Sequence, residues 1–137
     1  MRKIVLISCV KNKLPYPARA GDLYISDLFK SNLAYALSLR PHAIYILSAK
    51  YGLLQLDQII TPYEKTLKSM SVPERKAWAA AVLQQLGKLT NLQADLFIFL
   101  AGLRYREYLI PALKHVQIPL EGMSFGKQLQ ELKRRTP

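Results

Sequence analysis

Four short apolar segments alternate with stretches of helical pattern, and this alternation most constrains how the chain can fold. The segments cover residues 3–8, 43–48, 95–101 and 116–120. Segments that are apolar at nearly every position are typical of parallel strands buried on both faces. Strands alternating with helices predict right-handed crossovers and helices on both faces of the sheet. We therefore expect a single three-layer α/β/α domain over residues 1–137, with a mainly parallel four-stranded sheet.

The segments between these strands predict the helices. Residues 26–39 and 124–135 carry apolar side chains at helical spacing. Ser71-Val72-Pro73-Glu74 is a capping box with proline inside the first turn, so it predicts the start of a helix. Residues 104–115 predict a further helix, which Pro111 should kink or split into two short pieces.

The charge of the chain points to an anionic partner. Twenty Lys and Arg residues stand against nine Asp and Glu, which gives a formal net charge of +11 over 137 residues. An excess of this size in one small domain is typical of proteins that bind a polyanion, most often nucleic acid. We therefore expect nucleic acid or a nucleotide as the partner. The alternative is a basic, soluble surface with no specific partner.

Other features of composition limit the compartment and the cofactors. The longest apolar runs, such as residues 96–103, are far shorter than the roughly 20 residues that a bilayer span needs, so we expect no membrane partner. The single Cys9 fits a reducing, cytoplasmic environment. His42 and His115 lie far from Cys9 in the predicted fold, so we expect neither a metal site nor a Cys-His pair. No glycine-rich phosphate loop occurs, and we expect no cofactor. The oligomeric state stays open.

Each predicted strand ends in polar residues, and the ends of parallel strands meet at one edge of the sheet. These candidate binding residues are Ser8, Cys9, Lys11, Asn12 and Lys13 after the first strand, Ser48, Lys50, Tyr51 and Gly52 after the second, Gly102, Arg104 and Tyr105 after the third, and Glu121 and Gly122 after the fourth. Convergence of four such ends predicts a ligand pocket. Residues 11, 50, 105 and 121 should then surround a single hollow.

Individual roles within this group have competing interpretations. Lys50 would contact a phosphate or a carboxylate, or it is an ordinary solvated lysine. Gly52 and Gly102 allow a close ligand approach or a positive φ, or they are turn glycines. The phenols of Tyr51, Tyr63 and Tyr105 would stack on a base or donate a proton, or they are half-buried core.

Carboxylates are the candidates for acid-base chemistry. Asp57 and Glu64 follow the second strand, and either would position a water or stabilise a cationic transition state. Asp57 lies in a loop rich in Leu and Ile, where burial would favour general acid-base work. The alternative is an ordinary loop cap. Glu121 faces the same edge and competes with both. A nucleophilic role for Cys9, beside Lys11, is the weaker hypothesis.

Six motifs spread over nearly the whole chain resemble a family of uncharacterised bacterial and phage domains. These motifs are LISCVKNKLP at residues 6–15, ARAGDLYISDLF at 18–29, LSAKYGLL at 47–54, PYEKTL at 62–67, LAGLRYR at 100–106 and PLEG at 119–122. One position departs from the pattern, since Leu56 stands where the family often has proline, which affects the loop before Asp57. The family itself implies no reaction.

Two more distant likenesses suggest a function. The Leu-Ser, Tyr-Gly-Leu, Asp and Pro-Tyr series is similar to that of the YaaA peroxide-stress proteins, which bind DNA. The central segment is also similar to the domain of archaeosine synthase that handles a modified tRNA base. That domain resembles uracil-DNA glycosylases, so the likeness implies a uracil-DNA-glycosylase-like fold.

The first functional hypothesis is a glycosylase-like hydrolase, or another base-modifying enzyme, acting on a modified base in DNA or tRNA. Asp57 is the preferred carboxylate, Glu64 and Lys50 are the other candidate catalytic residues, and Lys50 or Asn12 would hold the base. A non-catalytic, stress-protective module that binds DNA or RNA is the alternative. A small-molecule enzyme for free nucleotides is the second alternative.

Overall fold

The strands of the computed structural model, which describes residues 1–137, are β1 Lys3–Ser8, β2 Ala18–Arg19, β3 Ala43–Ser48, β4 Gly52–Gln55, β5 Ile59–Ile60, β6 Leu96–Leu100 and β7 His115–Gln117. Five of them form a central mixed sheet in the order β4-β3-β1-β6-β7. All neighbouring strands are parallel except β4, which runs antiparallel to β3. A separate two-stranded antiparallel sheet pairs β2 with β5.

The main sheet therefore has five strands, and the expectation of four strands is corrected. The additional strand, β4, forms a hairpin with β3, with Leu53 opposite Leu47 and Gly52 opposite Ser48. A strand of only four residues, Gly52–Gln55, has too little alternation to give a clear periodic signal. Gly52 has a φ of +74°, which lets the chain reverse immediately after β3.

Five α-helices surround the sheet. They are α1 Ala20–Leu23, α2 Asp27–Ser38, α3 Val72–Leu89, α4 Leu103–Arg106 and α5 Phe125–Arg135. The capping box at the start of α3 is confirmed, because the Ser71 hydroxyl accepts from the Glu74 amide and the Glu74 carboxylate accepts from the Ser71 amide. The helix expected over residues 104–115 is divided into α4 and a 3₁₀ turn at Ile110–Ala112, since Pro111 cannot donate a backbone hydrogen bond.

The crossovers divide the helices between two faces. The connection from β1 through α2 leads to β3 on one side of β1, and the connection from β3 through α3 leads to β6 on the other side. Right-handed crossovers in opposite directions place α2 and α3 on opposite faces of the sheet. Helix α5 packs against α2. The result is a three-layer α/β/α arrangement.

The hydrophobic core is centred on β1, the middle strand of the sheet. Residues Ile4, Val5, Leu6 and Ile7 of β1 are each 0% exposed, as expected for a parallel strand covered on both faces. At the amino-terminal edge of the sheet, Arg2 donates two hydrogen bonds to the buried Asp95 carboxylate, at 3.1 and 2.8 Å. This pair fixes the starts of β1 and β6 beside each other. None of the helices combines the length and apolar character needed to cross a membrane.

Candidate functional site

The topology of the sheet creates a crevice between β1 and β6. These two strands are parallel neighbours, but the chain leaves β1 toward β3 and leaves β6 toward β7, in opposite directions. The two connections therefore separate at the carboxyl ends of the strands. In open α/β sheets, this switch point is where ligands bind.

A cavity of about 1290 Å³ occupies this crevice, and we call it the strand-end cavity. Its lining comes from the end of β1 and the segment after it, and from α2 and the segment just before it. It also includes the segment after β5, the residues from β6 into α4, and the residues between β7 and the first turn of α5. The lining residues are Ser8, Cys9, Val10, Lys11, Asn12, Lys13, Ile25, Leu28, Asn32, Glu64, Lys65, Thr66, Lys68, Phe99, Leu100, Ala101, Gly102, Leu103, Arg104, Tyr105, Arg106, Ile118, Leu120, Gly122, Met123 and Gln128.

The charge of this lining is strongly unbalanced. Six basic residues, Lys11, Lys13, Lys65, Lys68, Arg104 and Arg106, face one acidic residue, Glu64. The two arginines have carboxylate neighbours: Arg104 lies 3.5 Å from Glu107, and Arg106 lies 3.9 Å from Glu121. None of the four lysines forms a salt bridge. The cavity is therefore an electrostatically favourable place for an anion.

Lys13 is the cavity cation that lies over two aromatic rings. Its ammonium lies 4.5 Å from the centre of the Tyr63 ring and 5.8 Å from that of Tyr24. Partial burial lowers the pKa of Lys13, while the neighbouring Cys9 and Glu64 oppose that change. A lysine with a lowered pKa releases its proton more readily than an exposed lysine does.

Tyr105 is fixed at the wall of the cavity. Its phenol oxygen accepts hydrogen bonds of 3.4 Å from both the Cys9 thiol and the Leu67 amide. The Trp78 ring packs against the Tyr105 ring edge-on, with 5.8 Å between the centroids, and the Trp78 indole donates to the Ser48 carbonyl at 2.9 Å. Burial raises the pKa of Tyr105 to about 12, so its hydroxyl stays protonated at neutral pH.

A second group of phenols lies behind this wall. The Ser48 hydroxyl donates to Tyr63 at 2.7 Å, and the Tyr63 and Tyr24 hydroxyls lie 2.6 Å apart. Burial raises the pKa of both tyrosines well above the ordinary value. The Tyr51 ring meets Tyr63 edge-on at 5.5 Å, and the Lys50 ammonium lies 5.2 Å from the Tyr51 ring. The group therefore connects the end of β3 to Lys13.

Ten of the residues singled out in the sequence line the strand-end cavity. They are Ser8, Cys9, Lys11, Asn12, Lys13, Glu64, Gly102, Arg104, Tyr105 and Gly122. The strand-end cavity thus brings together Lys11, Tyr105 and the segment beside Glu121. Glu121 itself is exposed and reaches the cavity only through its neighbour Arg106.

The other residues lie outside the cavity lining, and they are Ser48, Lys50, Tyr51, Gly52, Asp57 and Tyr63. The reason is the hairpin between β3 and β4, because Lys50 and Tyr51 form its turn instead of a crossover loop. Asp57 is exposed in the turn that follows β4, so the burial expected for its carboxylate is absent. Ser48 and Tyr63 are buried and bond to each other. Gly52 has the positive φ, and Gly102 lacks it.

Several lining residues were not among the sequence candidates. Lys65, Thr66 and Lys68 lie within four residues after Glu64, and the two lysines of the PYEKTLK segment at residues 62–68 were the available signal for them. Asn32 is the least apparent, because it lies on the apolar face of α2 between Phe29 and Ala36. A polar residue at a buried helical position was the signal in that case.

Comparison with known proteins identifies the family. No curated protein matches the chain. One family model matches residues 4–134, a range that includes every strand end around the cavity. That match covers nearly the whole chain, and the protein belongs to the family of unknown function DUF6884.

Proposed function

We propose that the protein binds a nucleotide unit of DNA or RNA in the strand-end cavity, with the phosphate against its lysines and arginines. One observation carries this proposal: six cations and a single carboxylate line a cavity at the switch point of the sheet. Phosphate is the anion that such sites bind most often, because oriented positive charge compensates its ionised oxygens.

The distribution of ion pairs supports a multivalent anion. Lys11, Lys65 and Lys68 are exposed and have no carboxylate partner, so their charges are available to a ligand. Several adjacent phosphates, as in a nucleic acid strand, would neutralise several of these lysines at once. The net charge of +11 also favours a polyanion over a single small anion.

The remainder of the lining suits a base. Ile25, Leu28, Ile118, Leu120 and Met123 supply an apolar wall. A nucleobase buries its faces against apolar side chains and needs few polar groups for its edge. A cavity whose lining combines cations with apolar side chains therefore matches the two chemical halves of a nucleotide.

The likenesses found in the sequence favour the same class. One series is similar to that of the YaaA proteins, which bind DNA, and the central segment is similar to the archaeosine synthase domain, which handles a modified tRNA base. A uracil-DNA-glycosylase-like fold is part of this proposal. Under it, the strand-end cavity receives a base that has been turned out of its strand.

Cleavage of an N-glycosidic bond is the reaction that we propose for this cavity. Glu64 replaces Asp57 as the candidate carboxylate, since Glu64 is the acidic residue of the lining. Glu64 would accept a proton from water while the water oxygen bonds to C1′. The electron pair of the breaking C1′–N bond leaves with the base. Lys13, whose pKa is lowered, would donate the proton that the departing base takes up.

A free nucleotide is the second candidate ligand. The observation that favours it is the cavity volume of about 1290 Å³, which leaves room for the whole of a small ligand because such ligands typically occupy sites of roughly 300–1,000 Å³. A complete nucleoside phosphate would fit within it. Competition by mononucleotides against an oligonucleotide separates the two candidates.

The binding proposal is tested by removing three positive charges from the cavity and, in a separate variant, three from the opposite edge of the sheet. A Lys11→Gln/Lys65→Gln/Lys68→Gln variant removes three charges from the cavity. The control, Lys3→Gln/Lys88→Gln/Lys114→Gln, removes three exposed charges near the opposite edge of the sheet. Binding of a labelled single-stranded 20-mer is measured by anisotropy from low to moderate salt. We expect the slope of log K against log salt to fall by about 2 in the cavity variant alone. An equal fall of this slope in both variants would show non-specific attraction of nucleic acid and would contradict binding in the cavity.

The catalytic proposal has its own control. DNA and tRNA containing modified bases are incubated with wild-type protein, Glu64→Gln and Asp57→Asn, and free base is measured by chromatography. We expect release by wild type and Asp57→Asn, and at least a hundredfold slower release by Glu64→Gln. Release by Glu64→Gln together with slow release by Asp57→Asn would assign the catalytic role to Asp57 instead. Tight binding with no release from any substrate would assign the protein to the non-catalytic class.

A further inference from the structure

Asn32 is a buried polar side chain with no partner in the protein. It lies on α2 and is 6% exposed, and its Oδ1 is buried without any hydrogen bond. A buried amide oxygen without a partner destabilises the folded protein, so such groups are uncommon and call for an explanation. The capping hydroxyl of Ser26, by contrast, accepts from the Phe29 amide at the start of the same helix.

The position of Asn32 gives the explanation. Leu28 and Asn32 lie one turn apart on α2, Ile25 lies just before the helix, and all three line the strand-end cavity. Gln128 of α5 lines the same cavity, and its amide nitrogen already donates to the Met123 carbonyl at 3.0 Å. Asn32 is therefore the buried amide whose hydrogen-bonding capacity is kept free at the apolar part of the cavity.

An amide offers one acceptor oxygen and a donor NH₂ side by side, and rotation of the amide plane presents either of them. Such a pair matches the edge of a nucleobase, where a donor and an acceptor are also adjacent. A phosphate presents acceptors alone, and the lysines already provide for it. We propose that Asn32 is a specificity-determining residue that hydrogen-bonds the edge of the bound base. This inference rests on the proposed nucleotide site and names the part of the nucleotide that the site reads.

The test compares ligands that share a phosphate and differ in the base. AMP, GMP, CMP, UMP and ribose 5-phosphate are titrated by calorimetry into wild type, Asn32→Ala and Asn32→Leu. We expect wild type to prefer at least one nucleoside monophosphate to ribose 5-phosphate by tenfold or more. Both variants should lose about fivefold of that preference, and at most about tenfold, while binding ribose 5-phosphate as before, since one neutral hydrogen bond contributes that much.

Asn91→Ala is the matched control. The Asn91 side chain lies outside the cavity and accepts from the Gln93 and Ala94 amides at 3.0 and 3.1 Å. Its replacement should lower the melting temperature and leave every affinity unchanged. Asn32→Leu should leave the melting temperature unchanged or raise it, because it removes an unpartnered polar group. Asn32→Ala supplies the binding test if leucine does not fit.

The outcomes separate the two levels of the proposal. A wild-type preference that survives in both Asn32 variants overturns the role of Asn32 and leaves the nucleotide site standing. Equal wild-type affinity for ribose 5-phosphate and all four nucleotides overturns base reading while phosphate binding stands. Absence of binding to every ligand and to the oligonucleotide overturns the proposed function itself.

Discussion

The Ser48 hydroxyl donates a 2.7 Å hydrogen bond to the phenol of Tyr63, and this bond joins the end of β3 to the segment that follows β5. The Tyr63 hydroxyl lies 2.6 Å from that of Tyr24, and all three side chains are buried. The Ser48 oxygen also accepts from the Tyr51 amide at 3.0 Å. The polar groups behind the cavity wall thus satisfy one another without solvent.

Tyr63→Phe should lower the free energy of unfolding by about 1–3 kcal/mol. The change removes one hydroxyl and leaves the buried hydroxyls of Ser48 and Tyr24 without that partner. The aromatic ring beneath the Lys13 ammonium is kept, so affinity for an anion should change little. Urea unfolding followed by Trp78 fluorescence measures the effect.

Tyr51→Phe is the control for that experiment. Its hydroxyl donates to the Thr61 carbonyl at 3.4 Å at an exposed position, so the loss should stay below about 0.5 kcal/mol. Equal effects of the two substitutions would show that the buried triad contributes nothing beyond an exposed hydroxyl.

Stability should fall at alkaline pH. Burial raises the pKa of Tyr24, Tyr63 and Tyr105 above the ordinary value near 10, and that of Tyr105 reaches about 12. These phenols stay protonated in the folded protein and ionise first in the unfolded chain. Their stabilising contribution is therefore complete below about pH 10 and is lost as the pH rises toward 12, by up to about 1.4 kcal/mol per pH unit for each tyrosine.

Urea unfolding between pH 8 and pH 12, together with tyrosinate absorbance, measures this dependence. The ionisation of three of the eight tyrosines should coincide with unfolding. Tyr63→Phe should make the fall in stability shallower by about a third, because one of three titrating groups is gone. A free energy of unfolding that stays constant from pH 9 to pH 12 would contradict the prediction.

Gly52→Ala should destabilise the protein by roughly 1–3 kcal/mol. Gly52 has a φ of +74°, and a Cβ there would lie 2.5 Å from Oε1 of Gln85. That same oxygen accepts the hydrogen bond of the Leu53 amide at 2.9 Å, so moving Gln85 aside weakens the start of β4. The melting temperature and urea midpoint measure the effect.

Gly126→Ala is the matched control with the opposite sign. Gly126 lies in the first turn of α5 and has no positive φ, and a Cβ added to it would meet no atom within 4 Å beyond its chain neighbours and the backbone of its own helix. Alanine should stabilise the helix by about 0.5–1 kcal/mol. A loss of stability in Gly126→Ala as large as that in Gly52→Ala would contradict the role of the positive φ at position 52.

The elements with strong local signals were predictable from sequence. β1 and β3 have the expected bounds, and the capping box starts α3 at the expected residue. The proline that divides residues 104–115 acts through its missing amide, which is also a local property. The sequence does not predict the fifth strand, β4, because four residues give no clear local signal. The segment is a strand because it pairs with β3.

The candidate site likewise contains residues that the sequence predicts and residues whose position only the structure reveals. Residues that directly follow β1 and β6, such as Lys11 and Tyr105, line the cavity because the sheet fixes where those strands end. The sequence places Asp57 and Lys50 near the end of a strand and predicts a role for them from the chemistry of their side chains. Their positions depended on a hairpin that no local pattern indicated.

The sequence alone determined the alternation of strands and helices, the helix caps, and the excess of positive charge, because each of these is set by neighbouring residues or by composition. The tertiary structure decided which strand ends diverge around a cavity, that Glu64 rather than Asp57 is its carboxylate, and that Asn32 is buried there without a partner. These features depend on contacts between segments far apart in the chain, and no short-range pattern encodes such contacts.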